Sequence, residues 1–247
     1  MLRAGLCAQM SETSNITSNT ARMERMADEA RRLGLDAIFL GEAYLQGFDS
    51  MNFQPEHDRE IAQGISSQPI ERIRNIARKH QLAIGFGFYE LVDGIFYASY
   101  LVVGRFGETL CHYRRMSPGW RYPDSPDCYQ EGKALTGFEI KGIKIGLVIC
   151  GDFWTKALMD SIHALEKSVD AMLWPVHCDY PLDDWENKIR DEYREHSGNL
   201  MIPILFVNNL HPAHDRAKGG AYCWHQGKTL GAFNAGQAGM LTVSLPL

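Results

Sequence analysis

The chain has 247 residues, with 25 Lys and Arg against 30 Asp and Glu, so its formal charge at pH 7 is −5. Hydrophobic residues make up 45% and charged residues 22%, which excludes a low-hydrophobicity disordered chain and indicates a globular protein with a sizeable core. The acidic balance argues against a nucleic-acid partner bound by bulk positive charge, and no apolar run reaches the roughly 18 residues of a membrane helix.

The cysteines are expected to be free thiols. A chain of this length needs no disulfide framework, and its first residues show no apolar signal-peptide segment, so a reducing, cytoplasmic location is expected. No CxxC pair is present, and neither His177–Asp179 nor His211–His214 has the spacing of a zinc site, so no metal is expected. The six cysteines are Cys7, Cys111, Cys128, Cys150, Cys178 and Cys223.

Strands alternate with helices in the first part of the chain. Asp36–Leu40 is an uninterrupted apolar run, typical of a strand that is buried on both faces. Met23, Met26 and Ala30 recur at helical spacing before Gly34, which predicts a helix with a glycine C-cap. The predicted elements are a strand at 2–8, this helix, a strand at 36–40, a loop at 41–60 and a helix around 70–80.

The rest of the chain contains hairpins as well as helices. Asp93-Gly94 and Lys141-Gly142 are typical two-residue turns. The predicted elements are strands at 82–88, 96–103 and 108–113, an irregular segment at 116–134, strands at 138–140 and 144–149, a helix near 157–167, a strand at 171–174, a helix at 183–197, a strand at 204–207 and short strands after Gly220. This order predicts one α/β domain over residues 1–247, with two mixed sheets and helices outside both.

Three polar residues each follow directly on a predicted strand. They are Glu42, Arg115 and Cys150. In open α/β sheets, ligands bind beyond the carboxyl ends of strands, so these side chains can converge. A thiol needs a base before it can attack, a partly buried Glu42 can accept its proton, and a cation can stabilise the oxyanion that forms. The N–H of Gly151, beside the thiol, is a second oxyanion donor.

Each of the three residues also has an ordinary interpretation. A cysteine at the end of an apolar strand is commonly an inert buried thiol. A glutamate in a Gly-Glu-Ala loop is commonly solvated or caps a helix, and an arginine beside Arg114 is commonly a surface charge. Position alone therefore leaves both interpretations open.

At these residues the sequence resembles the nitrilase superfamily of carbon–nitrogen hydrolases. Gly142–Asp152, GIKIGLVICGD, is the most specific segment and resembles the strand that leads into the family's nucleophile. The other similar segments, in the family's order, are Asp36–Glu42, Phe96–Ser99 with Tyr113–Arg115, Pro203–Asn209 and Gly219-Gly220.

The resemblance implies a four-layer αββα sandwich that pairs into a homodimer or larger homo-oligomer, and a Glu-Lys-Cys triad without metal or cofactor. By position, Glu42 is then the general base and Cys150 the nucleophile. Arg115 stands where the family has lysine, which is a departure because arginine is bulkier, planar and always charged. The implied activity is hydrolysis of a small amide, N-carbamoyl compound or nitrile through a cysteine thioester.

Further candidates for substrate binding follow from the same resemblance. Many members have another glutamate after the lysine, and here the nearest acids, Asp124 and Asp127, lie in the irregular segment with Trp120. Glu90, at the end of a strand before Asp93-Gly94, can also line the site, and an ordinary exposed hairpin residue is the other interpretation. The family's substrate contacts after the strand ending at Trp174-Pro175 correspond to His177 and Tyr180.

Two alternatives to hydrolysis remain open at this stage. The same thioester can pass its acyl group to an amine, which would make the protein an acyl transferase. The arginine at position 115 also suits a catalytically weak or inactive binding protein on the same scaffold.

Overall fold

Two six-stranded mixed β-sheets face each other in the computed structural model of this protein, which describes residues 1–246. The strands are β1 (Leu2–Ala8), β2 (Ala37–Phe39), β3 (Ala83–Val92), β4 (Ile95–Val103), β5 (Thr109–Arg114), β6 (Thr136–Ile140), β7 (Ile143–Leu147), β8 (Ala171–Val176), β9 (Ile204–Asn208), β10 (Ala221–His225), β11 (Lys228–Phe233) and β12 (Gly239–Leu245). Their spatial orders are β12-β1-β2-β3-β4-β5 and β11-β10-β9-β8-β7-β6.

Helices cover the outer surfaces of both sheets. They are α1 (Ile16–Arg32), α2 (Pro55–Ile61), α3 (Gln68–His80), α4 (Met159–Glu166), α5 (Leu182–Asp184) and α6 (Arg190–Ser197), with a π-helical turn (Trp185–Ile189) that joins the last two. The predicted α/β architecture, with two mixed sheets and helices outside both, is thus confirmed. No helix within residues 1–246 combines the length and apolar character that a membrane-spanning segment requires.

Side chains that alternate between the two faces of each strand divide the hydrophobic core into separate layers. Ala83 on β3 faces the opposite sheet and shares a buried cluster with Phe39 and Ile145. Its neighbours Ile84 and Phe86 face the other way and pack in the cluster that α1 and α3 cover. Because successive side chains of a strand point to opposite faces, a buried strand serves two separate cores.

The two predicted hairpin turns are present, each with two residues in the left-handed region. The φ values are 51° and 81° for Asp93 and Gly94, and 53° and 81° for Lys141 and Gly142. This pair of conformations fits the twist of two-residue hairpins. The prediction of a plain loop at 41–60 was wrong, because this segment contains a 3₁₀ turn (Phe48–Ser50) and α2, both too short to show periodicity.

A buried carboxylate on α2 joins two long connecting segments, the one between β2 and β3 and the one between β5 and β6. Asp58 is fully buried and accepts hydrogen bonds from the backbone N–H groups of Asn52 at 3.1 Å and Phe53 at 2.9 Å. It also accepts one from the Tyr129 hydroxyl at 2.6 Å. Since Tyr129 belongs to the irregular segment 116–134, this contact holds that segment against the segment that follows Glu42.

Glu90 lies on the helix-side face of β3, with Ile84 and Phe86. Its carboxylate accepts hydrogen bonds from the Ser99 hydroxyl at 2.7 Å and from Arg114 at 2.8 and 2.9 Å, and His112 lies 3.0 Å away. The other face of β3 meets the Glu42 segment, where a Cβ on Gly87 would lie 2.3 Å from Ala43 N. Glu90 is therefore neither an exposed hairpin residue nor on the face of β3 that meets the Glu42 segment, so it does not line the site as the sequence suggested.

The Glu90 cluster makes stability depend on pH in a defined direction. Burial opposes the charge, but hydrogen bonds from Arg114 and His112 outweigh it and lower the pKa of Glu90 to about 2. Because this value lies below that of the unfolded chain, the charge contributes about 3 kcal/mol at pH 7, which is lost as the pH falls from about 4 to about 2. We expect Glu90→Gln to lower the free energy of unfolding in urea at pH 7 and to flatten its decline toward pH 3.

Glu139→Gln is the matched control, since Glu139 is exposed on β6. It should leave both values within about 0.5 kcal/mol of the wild type. If the free energy of unfolding of Glu90→Gln declined toward pH 3 as steeply as that of the wild type, the lowered pKa of Glu90 would not be the cause of the decline.

Candidate active site

Glu42, Arg115 and Cys150, each placed just after a strand by the sequence, meet at one end of the sandwich. Glu42 and Arg115 are 2% and 3% exposed, and Arg115 Nη1 donates a hydrogen bond to Glu42 Oε1 at 2.7 Å. The guanidinium also reaches the turn that contains Cys150, because a Cβ on Gly151 would lie 2.6 Å from Arg115 Nη2. The structure thus brings together the four residues predicted for catalysis and oxyanion binding.

Cys150 lies in a tight turn directly after β7. Its φ is +44°, a left-handed conformation that is uncommon outside glycine and costs roughly 1–3 kcal/mol. The turn continues as a 3₁₀ segment (Cys150–Asp152), and the Trp174 indole donates a hydrogen bond to the Cys150 carbonyl at 2.9 Å. The thiol is half-buried, 3.9 Å from the carbonyl oxygen of His177, so the turn presents it at the end of the strand.

Asp152 ties the Cys150 turn to the segment that carries Arg115. It is fully buried, and one carboxylate oxygen accepts hydrogen bonds from the backbone N–H groups of Met116 at 2.9 Å and Ser117 at 2.7 Å. The other oxygen accepts from the Tyr113 hydroxyl at 2.7 Å and from Ile149 N at 3.0 Å. One donor on β5 and three in the segments after β5 and β7 therefore meet on one side chain, which fixes the Cys150 turn relative to Arg115.

Arg115 is held on two of its three nitrogens. Nε donates to Ser117 Oγ at 2.8 Å and Nη1 to Glu42, while Nη2 faces Gly119 and Gly151. Burial works against its charge, yet the neighbouring acidic side chains, Glu42 before Asp152, raise the pKa of Arg115 above its ordinary value. The guanidinium is therefore a permanent cation in a fixed orientation.

Glu42 keeps one carboxylate oxygen unpaired. Oε2 is buried without a hydrogen-bond partner, whereas Oε1 is taken by Arg115. The backbone of Glu42 is tied to the second sheet, since its N–H donates to the Val176 carbonyl at 3.3 Å and its carbonyl accepts from Asn209 Nδ2 at 2.5 Å. A buried, unpaired carboxylate oxygen is a strong acceptor for a proton or for an N–H group.

His177 and Tyr180 lie where the chain leaves β8. The His177 ring stacks on Phe48 at 4.2 Å, its Nδ1 lies 3.3 Å from Asn209 Nδ2, and its carbonyl faces Cys150. Tyr180 is half-buried, and burial followed by the neighbouring Cys178 raises its pKa. His177 therefore borders Cys150 through its carbonyl group, whereas Tyr180 packs against the buried cluster that contains Cys178.

The candidates from the irregular segment divide into buried and exposed residues. Trp120 is 2% exposed, packs 6.2 Å from the Tyr89 ring, and has an indole N–H without a partner. Tyr89 in turn lies within the electrostatic influence of Glu42, because burial and then Glu42 raise the pKa of the Tyr89 hydroxyl. Asp124 and Asp127 are exposed to solvent, so neither is buried beside Glu42 in the place of a second glutamate.

Several residues that complete the site were not predicted as functional. Asp152, Ser117 and Asn209 supply the hydrogen bonds described above. Asn209 follows β9 directly. The search for polar residues directly after strands, which selected Glu42, would therefore also have selected Asn209. Cys178 is buried, its thiol lies 3.1 Å from the Tyr193 hydroxyl, and burial and then the Cys150 thiol raise its pKa.

Within residues 1–246, no three His, Cys, Asp or Glu side chains are grouped so that they could hold a metal ion. All six cysteines are free thiols.

Two known proteins are similar to this chain in sequence. The chain is 27% identical over 216 residues to the N-carbamoylputrescine amidase of Solanum lycopersicum, which covers 82% of this chain and 69% of that protein. It is 23% identical over 199 residues to the glutamine-dependent NAD(+) synthetase of Acinetobacter baylyi, covering 79% of this chain and 35% of that protein.

A solved structure is similar over the whole chain. It is a mutant of the amidase from Nesterenkonia sp. AN1 that shows the Michael addition of acrylamide at its active-site cysteine. The two folds agree with a TM-score of 0.79 at 16% sequence identity, covering 100% of this chain and 94% of that chain.

The model of the carbon-nitrogen hydrolase family matches residues 3–167, more than half of the chain. The matched segment contains Glu42, Arg115 and Cys150. The chain is therefore an enzyme of the carbon-nitrogen hydrolase family.

Proposed function

We propose that this enzyme is a thiol amidohydrolase that cleaves a small amide, an N-carbamoyl compound or a nitrile through a thioester on Cys150. The observation that carries the proposal is the buried ion pair of Glu42 and Arg115 against the Cys150 turn, with Glu42 Oε2 unpaired. It supplies a base, a fixed cation and a nucleophile in one place. Residues 1–247 are proposed to act as one catalytic domain.

The reaction on an amide begins at the thiol. Glu42 Oε2 accepts the Cys150 proton, and the sulfur attacks the carbonyl carbon. The oxyanion that forms is stabilised by Arg115 Nη2 and by the Gly151 N–H. Glu42 then returns its proton to the nitrogen, so that ammonia or an amine leaves and a thioester remains.

The second half of the reaction uses water. Glu42 accepts a proton from a water molecule while the resulting hydroxide attacks the thioester, and the same donors stabilise the second oxyanion. Collapse releases the carboxylic acid and returns the proton to the Cys150 sulfur. One amide and one water thus yield one acid and one ammonia or amine.

Arg115 suits this task although it cannot move a proton. Its two hydrogen bonds, to Ser117 and Glu42, hold the fork in position before substrate binds. A preorganised charge in a buried site stabilises a transition state without the reorganisation that water would need. Proton transfer is left to Glu42, which has the free oxygen.

The relatives support an amide substrate by analogy. The names of the tomato protein and of the Nesterenkonia protein are those of amidases, and the cysteine of the latter adds to acrylamide. A pairing of two copies through the outer helical layer is proposed from the family resemblance. Trp154 and Met201, which are 43% and 65% exposed near α6, support such a contact.

Removal of the nucleophile provides the first test. We expect Cys150→Ala and Cys150→Ser to reduce ammonia release from a panel of amides, N-carbamoyl compounds and nitriles by at least about a thousandfold. Intact-mass measurement of the wild type should trap an acyl adduct on Cys150, and added hydroxylamine reports acyl transfer as hydroxamate. Cys128→Ala, at another half-buried free thiol, is the control. Undiminished release by Cys150→Ala would refute the proposal.

Removal of the base provides the second test. Glu42→Gln keeps the shape and one oxygen for Arg115 but cannot accept a proton, so we expect kcat to fall by about 10²–10⁴-fold. The rate of adduct formation in stopped-flow mass spectrometry should fall in parallel. The control is Glu139→Gln, at an exposed carboxylate. A Glu42→Gln enzyme with unchanged kcat would assign the base elsewhere.

A further inference from the structure

We infer that Gly151 is a positioning residue: its missing side chain creates the space that the Arg115 guanidinium occupies, so arginine at position 115 requires glycine at position 151. The inference rests on the proposed function, because it takes Arg115 as the cation of the reaction.

The space around the guanidinium is set by two glycines. A Cβ on Gly151 would lie 2.6 Å from Arg115 Nη2 and 3.0 Å from Ser117 Oγ, and a Cβ on Gly119 would lie 3.0 Å from the same Nη2. Carbon and nitrogen atoms in contact are ordinarily about 3.5 Å apart or more. Even a methyl group at position 151 therefore overlaps Nη2.

Space, not backbone conformation, explains the glycine. Gly151 has no positive φ, unlike Cys150 before it at +44°. An alanine would thus be accepted by the backbone at this position, and the conflict arises only with Arg115 and Ser117.

Hydrogen bonds keep the guanidinium from moving away from position 151. Its Nη1 is bonded to Glu42 and its Nε to Ser117, and the Ser117 backbone is bonded in turn to Asp152. The Arg115 N–H itself donates to the Ala98 carbonyl at 2.8 Å. A methyl group at position 151 must therefore displace Nη2 from the Cys150 turn or break a bond that holds the arginine.

A lysine at position 115 would not meet this methyl group in the same way. It ends in a single ammonium group and has no second nitrogen that projects beyond the one facing Glu42. The two positions are therefore coupled: the change that harms the enzyme with arginine is tolerated with lysine.

The test is a double-mutant cycle with Gly151→Ala, Arg115→Lys and the double variant. We expect Gly151→Ala to lower kcat by about 100-fold with little change in KM, because the misplaced cation acts on the oxyanion. Adding Arg115→Lys should then raise kcat/KM at least about tenfold instead of lowering it further. Gly64→Ala is the control, since its nearest neighbour would lie 3.7 Å away.

One further measurement separates this inference from the proposed function, and one further variant replaces Gly151→Ala should that protein not fold. If the wild type releases no ammonia from any amide, the proposed function fails, and the coupling is read from the rate of Cys150 alkylation by iodoacetamide. If Gly151→Ala does not fold, Gly119→Ala replaces it, with about a tenfold loss and the same rescue expected.

The inference is overturned by either of two results. One is that the losses of the two single variants multiply in the double variant. The other is that Gly151→Ala lowers only the unfolding midpoint and leaves kcat and the alkylation rate unchanged, which is a purely structural effect.

Discussion

The candidate active site depends on the buried ion pair between Glu42 and Arg115. Two charges removed from water are costly unless each finds well-placed partners, and loss of one partner leaves a buried charge that destabilises a protein by about 3–5 kcal/mol. Here Arg115 donates a further hydrogen bond to Ser117. The backbone of Glu42 is hydrogen-bonded to Asn209 and Val176. The pair therefore fixes the loops around it, while the second carboxylate oxygen stays available for chemistry.

The sandwich makes this pair part of a three-group site. Glu42 and Arg115 follow strands of the first sheet, whereas Cys150 follows a strand of the second. The alignment of the two sheets thus decides the distances between Glu42, Arg115 and Cys150, and the inter-sheet core around Phe39 and Ile145 maintains that alignment. Asp152 secures it at the site itself, because its carboxylate holds backbone groups from both sheets.

An arginine in this place is compatible with the chemistry because its surroundings suit its shape. The planar fork needs acceptors on two sides and free space on the third, and Glu42, Ser117 and Gly151 meet those needs in turn. Arg115 is consequently a stationary charge, and in the proposed reaction Glu42 alone accepts and returns the proton. The fitted, costly ion pair also disfavours a binding protein that has kept the fold and lost the reaction, since such a protein would not need it.

Much of this protein is determined by the sequence itself. Apolar runs and Asp-Gly and Lys-Gly turns define most strands because burial and left-handed conformations restrict residue types locally. Polar residues directly after those strands make Glu42, Arg115 and Cys150 candidates, and the resemblance of the surrounding segments to a known family selects the functional interpretation of the three. The tertiary structure alone decided that Glu90 faces away from the site, since alternation defines two faces of a strand without saying what covers each. It alone also decided that Asp58 joins two distant segments and that Gly151 makes room for Arg115, because such contacts arise between residues far apart in the chain.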